Sequence, residues 1–154
     1  MDVYDNLQSL GVELPEPPPK GGIYSPVRQV ERYLYTAGQG AVRDGKPTIT
    51  GKVGAEVTPE QARRAACDAA LNMVAALHRY TGDLNRIESV VKILGFVASD
   101  PTFYGQPAVM DGASEFLVRV FGEAGFHARS AIGTNVLPNN MPVEIEGIFL
   151  LRDA

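Results

Sequence analysis

The sequence predicts an α+β domain in which one sheet is covered on one face by two helices. Three observations support this fold class: strand-like alternation near both ends of the chain, two long amphipathic helical patterns, and the order strands, helix, strand, helix, strands. No internal repeat or second domain is visible. A chain of 154 residues is also long enough to bury a core without disulfides or structural metals.

The segment before the first strand divides into a short helix and a proline-rich linker. Asp2 is expected to cap a helix that Gly11 ends. The run Pro15–Gly22, PEPPPKGG, favours a stiff, extended backbone, and we expect it to lie across the body of the domain. The predicted organisation is therefore an N-terminal extension and linker over residues 1–22, followed by a domain over residues 23–154.

Three short strands are expected at the start of this domain. Tyr24–Gln39 predicts a hairpin that turns at Glu31-Arg32. A third strand is expected around Thr48–Lys52, after a turn formed by Arg43-Asp44-Gly45-Lys46.

The first long helix is marked at both ends. Thr58 is expected to cap it, Pro59 suits its first position, and Gln61 completes a capping box. Gly82 is expected to end it. Its predicted buried stripe consists of Ala62, Ala65, Ala66, Ala69, Met73, Ala76, Leu77 and Tyr80. Because most of these residues are alanines, the helix is expected to pack closely on the sheet.

A central strand and a second helix follow. Ile87–Ala98 is predicted to form the strand, and the helix is expected from about Tyr104 to Phe121, with Pro107 near its start. The apolar face of this helix is predicted to consist of Val109, Ala113, Phe116, Leu117 and Val120.

The segment His127–Phe149 predicts strand, turn, strand, with Leu137–Asn140 as the turn. Alternation divides the side chains of both strands into two sets. We interpret the first set as the core face: Ser130, Ile132, Thr134, Val136, Val143, Ile145, Gly147 and Phe149. We expect Arg129 to lie on the other face with Glu144 and Glu146 among small residues, where an arginine fork suits a ligand carboxylate.

This arrangement predicts association between copies of the chain. The sheet face away from the helices is expected to carry Ala131, Ile148 and Leu150, and a monomer would leave this partly apolar surface exposed to water. Symmetric association is the simplest way to cover it.

Two motifs of the chain resemble a known family. Ala128-Arg129-Ser130 followed by Val143–Ile148, VEIEGI, resembles the C-terminal signature of the RidA family, also called YjgF-like and often labelled endoribonuclease L-PSP. Tyr33–Gln39 resembles that family's "aromatic, x, S/A-G-Q" segment. The resemblance implies a chorismate-mutase-like fold, assembled as a homotrimer whose sheets line a central barrel, with ligand clefts between subunits.

The resemblance implies roles for Arg129, Ala131 and Glu144. The matching arginine holds a substrate carboxylate in a two-pronged contact, Ala131 can offer a backbone contact, and Glu144 matches an acidic residue that orients water or transfers a proton. From the residues alone, Arg129 could instead form a structural ion pair with Glu144 or Glu146 on a neighbouring strand. We leave this alternative open.

Three further residues match family segments around the cleft. Tyr24 matches a loop that closes over the ligand, although a packed loop aromatic would have the same sequence. Gly38 and Gln39 match a segment whose backbone lines the cleft, where a glycine permits close approach of a ligand.

Several positions depart from the family pattern and indicate a divergent branch. Ala37 replaces a frequent serine, and Ala131 replaces a frequent cysteine. Asp111 is a loose candidate for a polar residue that the family carries before the arginine, and His127 is expected at the rim of the cleft. The N-terminal extension is also atypical. Because of these differences, the resemblance does not identify the substrate.

Composition excludes several function classes. The net charge is −4, and the basic residues are scattered, with Arg63-Arg64 as the only adjacent pair, so no nucleic-acid partner is expected. No apolar run reaches membrane-spanning length, and we expect no membrane association. The single cysteine, Cys67, and the absence of a signal-peptide pattern favour a cytoplasmic protein. His78 and His127 show no metal-ligand spacing, so we expect neither a metal nor a cofactor.

The sequence therefore favours a RidA-like enamine/imine deaminase. Such an enzyme hydrolyses reactive imines of small carboxylates to 2-oxo acids and ammonia, in clefts between subunits. The alternative is a non-catalytic protein that binds or senses a small metabolite, because Ala37 and Ala131 lack the polar groups of many relatives. We rank an endoribonuclease last, because the chain is acidic.

Overall fold

A computed structural model describes residues 2–153, and it consists of one mixed sheet with two long helices packed on one face. The helices are α1 (Val3–Ser9), α2 (Pro59–Thr81) and α3 (Gln106–Phe121). The strands are β1 (Val27–Val30), β2 (Tyr33–Thr36), β3 (Val42–Arg43), β4 (Lys46–Pro47), β5 (Ile87–Ala98), β6 (Ala128–Thr134) and β7 (Val143–Leu151). Five strands form the main sheet in the order β1-β2-β7-β5-β6, and only the β5–β6 pair is parallel. The predicted α+β class with helices on one face is confirmed.

Helix α2 has the ends that the sequence predicts. The Thr58 hydroxyl accepts a hydrogen bond from the Gln61 amide at 3.1 Å, and the Gln61 side chain accepts one from the Thr58 amide at 2.9 Å. Gly82 follows the last turn with φ 74°, a left-handed conformation that favours glycine. The predicted stripe is buried except for Tyr80, whose ring is exposed near the C-terminal end.

Strand β5 and helix α3 also match their predictions. β5 spans the predicted residues, and all five residues of the predicted apolar face of α3 are buried. Helix α3 begins at Gln106, two residues later than expected, because Gly105 is its N-cap and Pro107 lies in its first turn. Gly112 lies where α3 crosses α2, and a side chain there would overlap the backbone carbonyl of Arg63.

The last two strands are not neighbours, contrary to expectation. Strand β5 lies between β6 and β7, because α3 carries the chain back so that β6 runs parallel to β5. Strand β7 then pairs antiparallel with the other edge of β5. The alternative in which Arg129 pairs with Glu144 or Glu146 across neighbouring strands is therefore wrong.

The predicted faces of β6 are reversed. Arg129 pairs in register with the buried Ile93 and points toward the helices, whereas Ser130 and Ile132 point away from them. Ile132 is 46% exposed, and Val136, beyond the end of β6, is 59% exposed. The alternation was correct, but β6 is an edge strand whose covered side faces α3. Side-chain polarity could not indicate which side the helix covers.

The strand expected around Thr48–Lys52 does not form. The preceding turn is confirmed, because Asp44 and Gly45 have φ values of 51° and 76° and join the short strands β3 and β4. The following residues form an irregular loop, in which Thr48 donates to the Ala41 carbonyl at 2.9 Å and Gly51 donates to the Asn140 carbonyl at 2.9 Å. These loop contacts replace the expected strand pairing.

The N-terminal segment packs against the domain. Val3 and Leu7 of α1 are buried in the main core, and the Asn6 amide donates to the Val120 carbonyl at 2.8 Å. The proline run borders a groove of about 690 Å³ against the end of α2. The division of the chain at residue 22 stays a prediction. Met1 and Ala154, at the outer ends of the two predicted segments, lie outside the described residues.

The sheet face opposite α2 and α3 is partly apolar, as expected, but its members differ. Ala131 lies on the helix side and packs against the core, because it is in register with Gly95. The outer face instead carries Val30, Tyr33, Leu94, Phe96, Ile132, Ile148 and Leu150, with Tyr35 beside Ile148. Within residues 2–153, no helix combines the length and apolarity needed to cross a membrane.

Candidate ligand-binding site

Arg129 lies at the edge of the sheet, beneath α3. Its Nη1 donates to Asp111 Oδ1 at 2.8 Å and to Ser114 Oγ at 3.1 Å, and its Nη2 donates to the Pro107 carbonyl at 3.2 Å. A guanidinium has five N–H donors. Within residues 2–153, the Nε–H and one Nη2–H of Arg129 have no partner. The side chain is 20% exposed, so the structure holds Arg129 in place and leaves donors for an anion.

His127 continues this hydrogen-bond network. Its Nδ1 lies 2.6 Å from the Gly125 carbonyl oxygen, and its Nε2 lies 2.9 Å from Ser114 Oγ. Burial is the main cause that lowers the pKa of His127. The Gly125 hydrogen bond opposes this effect, and the charge of Arg129 adds to it. The neutral imidazole is therefore favoured.

Arg129 and His127 border an open cleft. The cleft lies between α3, Arg63 near the start of α2, and the start of β6. Its volume is about 680 Å³, and its lining residues are Arg63, Asp111, Ser114, Glu115, Val118, Arg119, Phe126, His127 and Arg129. Arg63 pairs with Glu115 at 2.8 Å on the rim. We call Asp111, Ser114, His127 and Arg129 the Arg129 half-site. Its size and donors suit a small carboxylate.

Glu144 lies elsewhere, on the outer face of β7. A Cβ atom at Gly38 would lie 2.6 Å from Glu144 Oε2, so glycine at this position leaves room for the carboxyl group. Gln39 and Ile145 exchange backbone hydrogen bonds of 2.8 and 2.9 Å, which hold the two segments together. Burial raises the pKa of Glu144, and repulsion by Glu146 raises it further. We call Gly38, Gln39 and Glu144 the Glu144 half-site.

One chain does not bring the two half-sites together. Arg129 is in register with Ile93, whereas Glu144 is in register with Phe96, three residues further along β5. Two strand spacings and three residues along the strand separate their backbones by more than about 10 Å. The two side chains also point to opposite faces of the sheet.

The remaining predicted residues do not join the Arg129 half-site. Tyr24 lies in the loop before β1, where its hydroxyl accepts from the Gly21 amide at 2.8 Å, and it is 44% exposed. Ala131 packs against the core. Sequence reasoning missed Ser114, although a signal existed. Asp111 and Ser114 are three residues apart, so both lie on one face of a helix.

Comparison with known proteins gives matches along nearly the whole chain. Residues 5–149 match the family model described as "YjgF/chorismate mutase-like, putative endoribonuclease". Protein TCP17 of Trypanosoma cruzi is 36% identical over 149 residues, which cover 96% of this chain and 93% of that protein.

Several crystal structures are similar to the chain, including two that match it along nearly its whole length. Atu1372 from Agrobacterium tumefaciens, a protein of unknown function, is 39% identical with a TM-score of 0.90, and the match covers 97% of this chain and 92% of that one. A "putative endoribonuclease" from Shewanella oneidensis MR-1 is 32% identical with a TM-score of 0.95, and the match covers 98% and 100% of the two chains.

Proposed function

Because the chain belongs to the YjgF/chorismate mutase-like family, also called RidA, we propose that it hydrolyses reactive imines of small carboxylates. The products are a 2-oxo acid and ammonia. The observation that carries this proposal is Arg129, which is oriented by three hydrogen bonds beside a small cleft and keeps unpartnered N–H groups. A planar guanidinium with free donors is suited to a ligand carboxylate.

We propose a homotrimer whose clefts combine the Arg129 half-site of one copy with the Glu144 half-site of another. Two observations support this assembly: the half-sites lie on opposite faces of one chain, and the outer face of the sheet exposes apolar side chains such as Ile132. Light scattering in dilute buffer should give about three times the chain mass. A stable monomer would contradict the shared cleft.

Imine hydrolysis requires few catalytic groups from the protein. An imine carbon is already electrophilic, so the site must hold the carboxylate, place a water molecule and move protons. Arg129 supplies the first function. Glu144, whose pKa burial raises, can exchange a proton closer to neutral pH than an ordinary carboxyl group. Positioning alone can lower a barrier by roughly 7 kcal/mol or more.

A non-catalytic metabolite-binding protein is the second candidate. Ala131 brings no polar side chain to the cleft, and the Asp111 carboxylate already contacts Arg129 at 2.8 Å. Both features are compatible with binding without turnover. An endoribonuclease ranks third, because the chain carries a net charge of −4.

An ammonia-release assay separates these functions. Imines such as 2-aminoacrylate are generated in the cuvette, and ammonia is followed with and without the protein. The proposed deaminase accelerates release, and the Arg129→Lys variant loses most of the acceleration. Binding of 2-oxobutyrate without acceleration supports the second candidate. If the protein shows no binding and no acceleration, the first two candidates are both contradicted. RNA cleavage that depends on Arg129 supports the third.

A further inference from the structure

We infer that Ser114 and His127 form a proton relay in the Arg129 half-site. The Ser114 hydroxyl meets the attacking water, and His127 acts through it as the base. This inference rests on the proposed function and deepens it, because it adds a proton acceptor on the same side of the sheet as Arg129. Neither the family motifs nor the residues matched to them include this pair.

The directions of the hydrogen bonds follow from simple chemistry. The Gly125 carbonyl can only accept, so the proton between it and His127 resides on Nδ1. In a neutral ring, Nε2 is then an acceptor, and the proton in its bond with Ser114 belongs to the hydroxyl. Arg129 Nη1–H donates to the same oxygen. The chain of donors therefore runs from Arg129 to Ser114, to His127 and to the Gly125 carbonyl.

This order is what a hydroxyl and its base require. The base accepts the hydroxyl proton at 2.9 Å, and a third group, the Gly125 carbonyl at 2.6 Å, fixes the orientation and tautomer of the ring. Arg129 lies on the far side of Ser114 Oγ at 3.1 Å, and its positive charge stabilises negative charge that develops on that oxygen.

The charged surroundings keep the base available. The charged groups that line the cleft together with His127 are Arg129 from β6, Asp111, Glu115 and Arg119 from α3, and Arg63 from α2. Asp111 pairs with Arg129, and Glu115 pairs with Arg63. Within residues 2–153, no carboxylate forms an ion pair with the imidazole, so the ring remains an uncharged acceptor at neutral pH.

The relay gives a balanced reaction for a protonated imine. A water molecule that the Glu144 carboxyl group of another copy helps to position forms a bond to the imine carbon, and the C=N π electrons move to nitrogen. The water proton passes to Ser114 Oγ while the Ser114 proton passes to His127 Nε2. The proton then returns through the same hydroxyl to nitrogen, the C–N bond breaks, and the carbinol proton leaves with ammonia. Iminium and water thus become ketone and ammonium, and His127 ends neutral.

The test compares the pH dependence of kcat and KM in His127→Gln and in the wild type. Glutamine keeps an oxygen that accepts from Ser114, but it cannot take up a proton. We expect kcat to fall about a hundredfold, within the range of general base catalysis, and KM to change by less than about twofold. Because the pKa of His127 is lowered, the wild type should lose kcat only at a pH below the ordinary imidazole range, and this loss should disappear in the variant.

His78→Gln is the matched control. His78 is the other histidine of the chain and hydrogen-bonds to the Tyr4 hydroxyl at 3.0 Å, away from the cleft. Its substitution should leave kcat unchanged. Ser114→Ala should lose as much activity as His127→Gln, and the double variant should lose no more, because both residues serve one relay.

Other outcomes overturn the inference. An active wild type with an unchanged kcat and pH profile in His127→Gln removes the relay and leaves the proposed function intact. A rise in KM alone makes His127 a structural support of Arg129 and also removes the relay. A wild type that releases no ammonia from any imine contradicts the proposed function, and the relay is lost with it.

Discussion

The two half-sites differ in how completely one chain builds them. Arg129 is held by three partners on α3 and lies beside a neutral histidine, all within a cleft. Glu144 lies on the open face of the sheet, where Gly38 makes room for its carboxyl group and no hydrogen bond to that carboxyl occurs within residues 2–153. The Arg129 guanidinium is thus held in one orientation within a single chain, whereas the Glu144 carboxyl group is not.

Mixing two inactive variants would test whether the half-sites meet between copies. Arg129→Lys and Glu144→Gln each damage one half-site, so each should be nearly inactive alone. Refolded together in equal amounts, they should form trimers in which about one cleft in four receives both intact half-sites. Ammonia release should therefore recover to about a quarter of the wild-type rate. Each variant refolded alone is the control.

No recovery in mixed trimers would show that both residues act within one chain. Native mass spectrometry of differently tagged copies confirms that the variants have mixed. With mixing shown, an activity that stays at the level of the separate variants would refute the division into two half-sites.

The Arg129 half-site alone should account for ligand affinity. Arg129→Lys keeps the charge but loses the two-pronged contact, which is worth roughly 1.5–3 kcal/mol. Binding of pyruvate or 2-oxobutyrate should weaken by about ten- to a hundredfold in calorimetric titrations. Glu144→Gln is the comparison and should bind nearly as well as the wild type. Unchanged affinity in folded Arg129→Lys would mean that Arg129 only supports the structure.

Asp111 should compete with the ligand for Arg129. Asp111→Asn keeps a hydrogen-bond acceptor and removes the competing charge. An exposed ion pair contributes about 0.2–1 kcal/mol, so affinity for 2-oxobutyrate should rise by at most about fivefold. Glu115→Gln, which removes the carboxylate paired with Arg63, is the matched control. Weaker binding in Asp111→Asn would show that Asp111 orients Arg129 instead of competing.

The smallest expected effect concerns stability at the Glu144 half-site. Burial raises the pKa of Glu144 above its ordinary value of 4.5, so the folded state loses stability as pH rises through the raised value. Glu144→Gln removes this loss and should raise Tm by about 1–2 °C at pH 7.5. The gain should vanish below about pH 4. Glu13→Gln, which replaces an exposed carboxylate, is the control and should leave Tm unchanged. An unchanged Tm in Glu144→Gln would show that the Glu144 carboxyl group is fully solvated.

Local signals predicted the helices and the central strand well. The capping box of Thr58 and Gln61 and the glycine at position 82 fixed the ends of α2, because these features depend on neighbours in the sequence. The twelve residues of β5 were predicted with their observed bounds. The expectation of a partly apolar outer face was also correct in kind.

Long-range arrangement was not predictable in the same way. The insertion of β5 between β6 and β7 depends on the path of α3, which no pattern within residues 128–151 records. The faces of β6 depend on which side α3 covers, so Arg129 was assigned to the wrong face. Ser114 became visible as a site residue only when α3 and β6 were placed together.

The position of β7 in the sheet constrains the order in which the strands can assemble. It pairs with β2 through Tyr33–Tyr35 and with β5 along most of its length, although more than a hundred residues separate it from β2. The β1–β2 hairpin has no other partner strand in the described sheet, so it cannot join the sheet until β7 has been made. Contacts this distant in sequence slow folding. A ribosome-bound chain that stops before residue 143 should expose a free edge of β5 and be a target for chaperones.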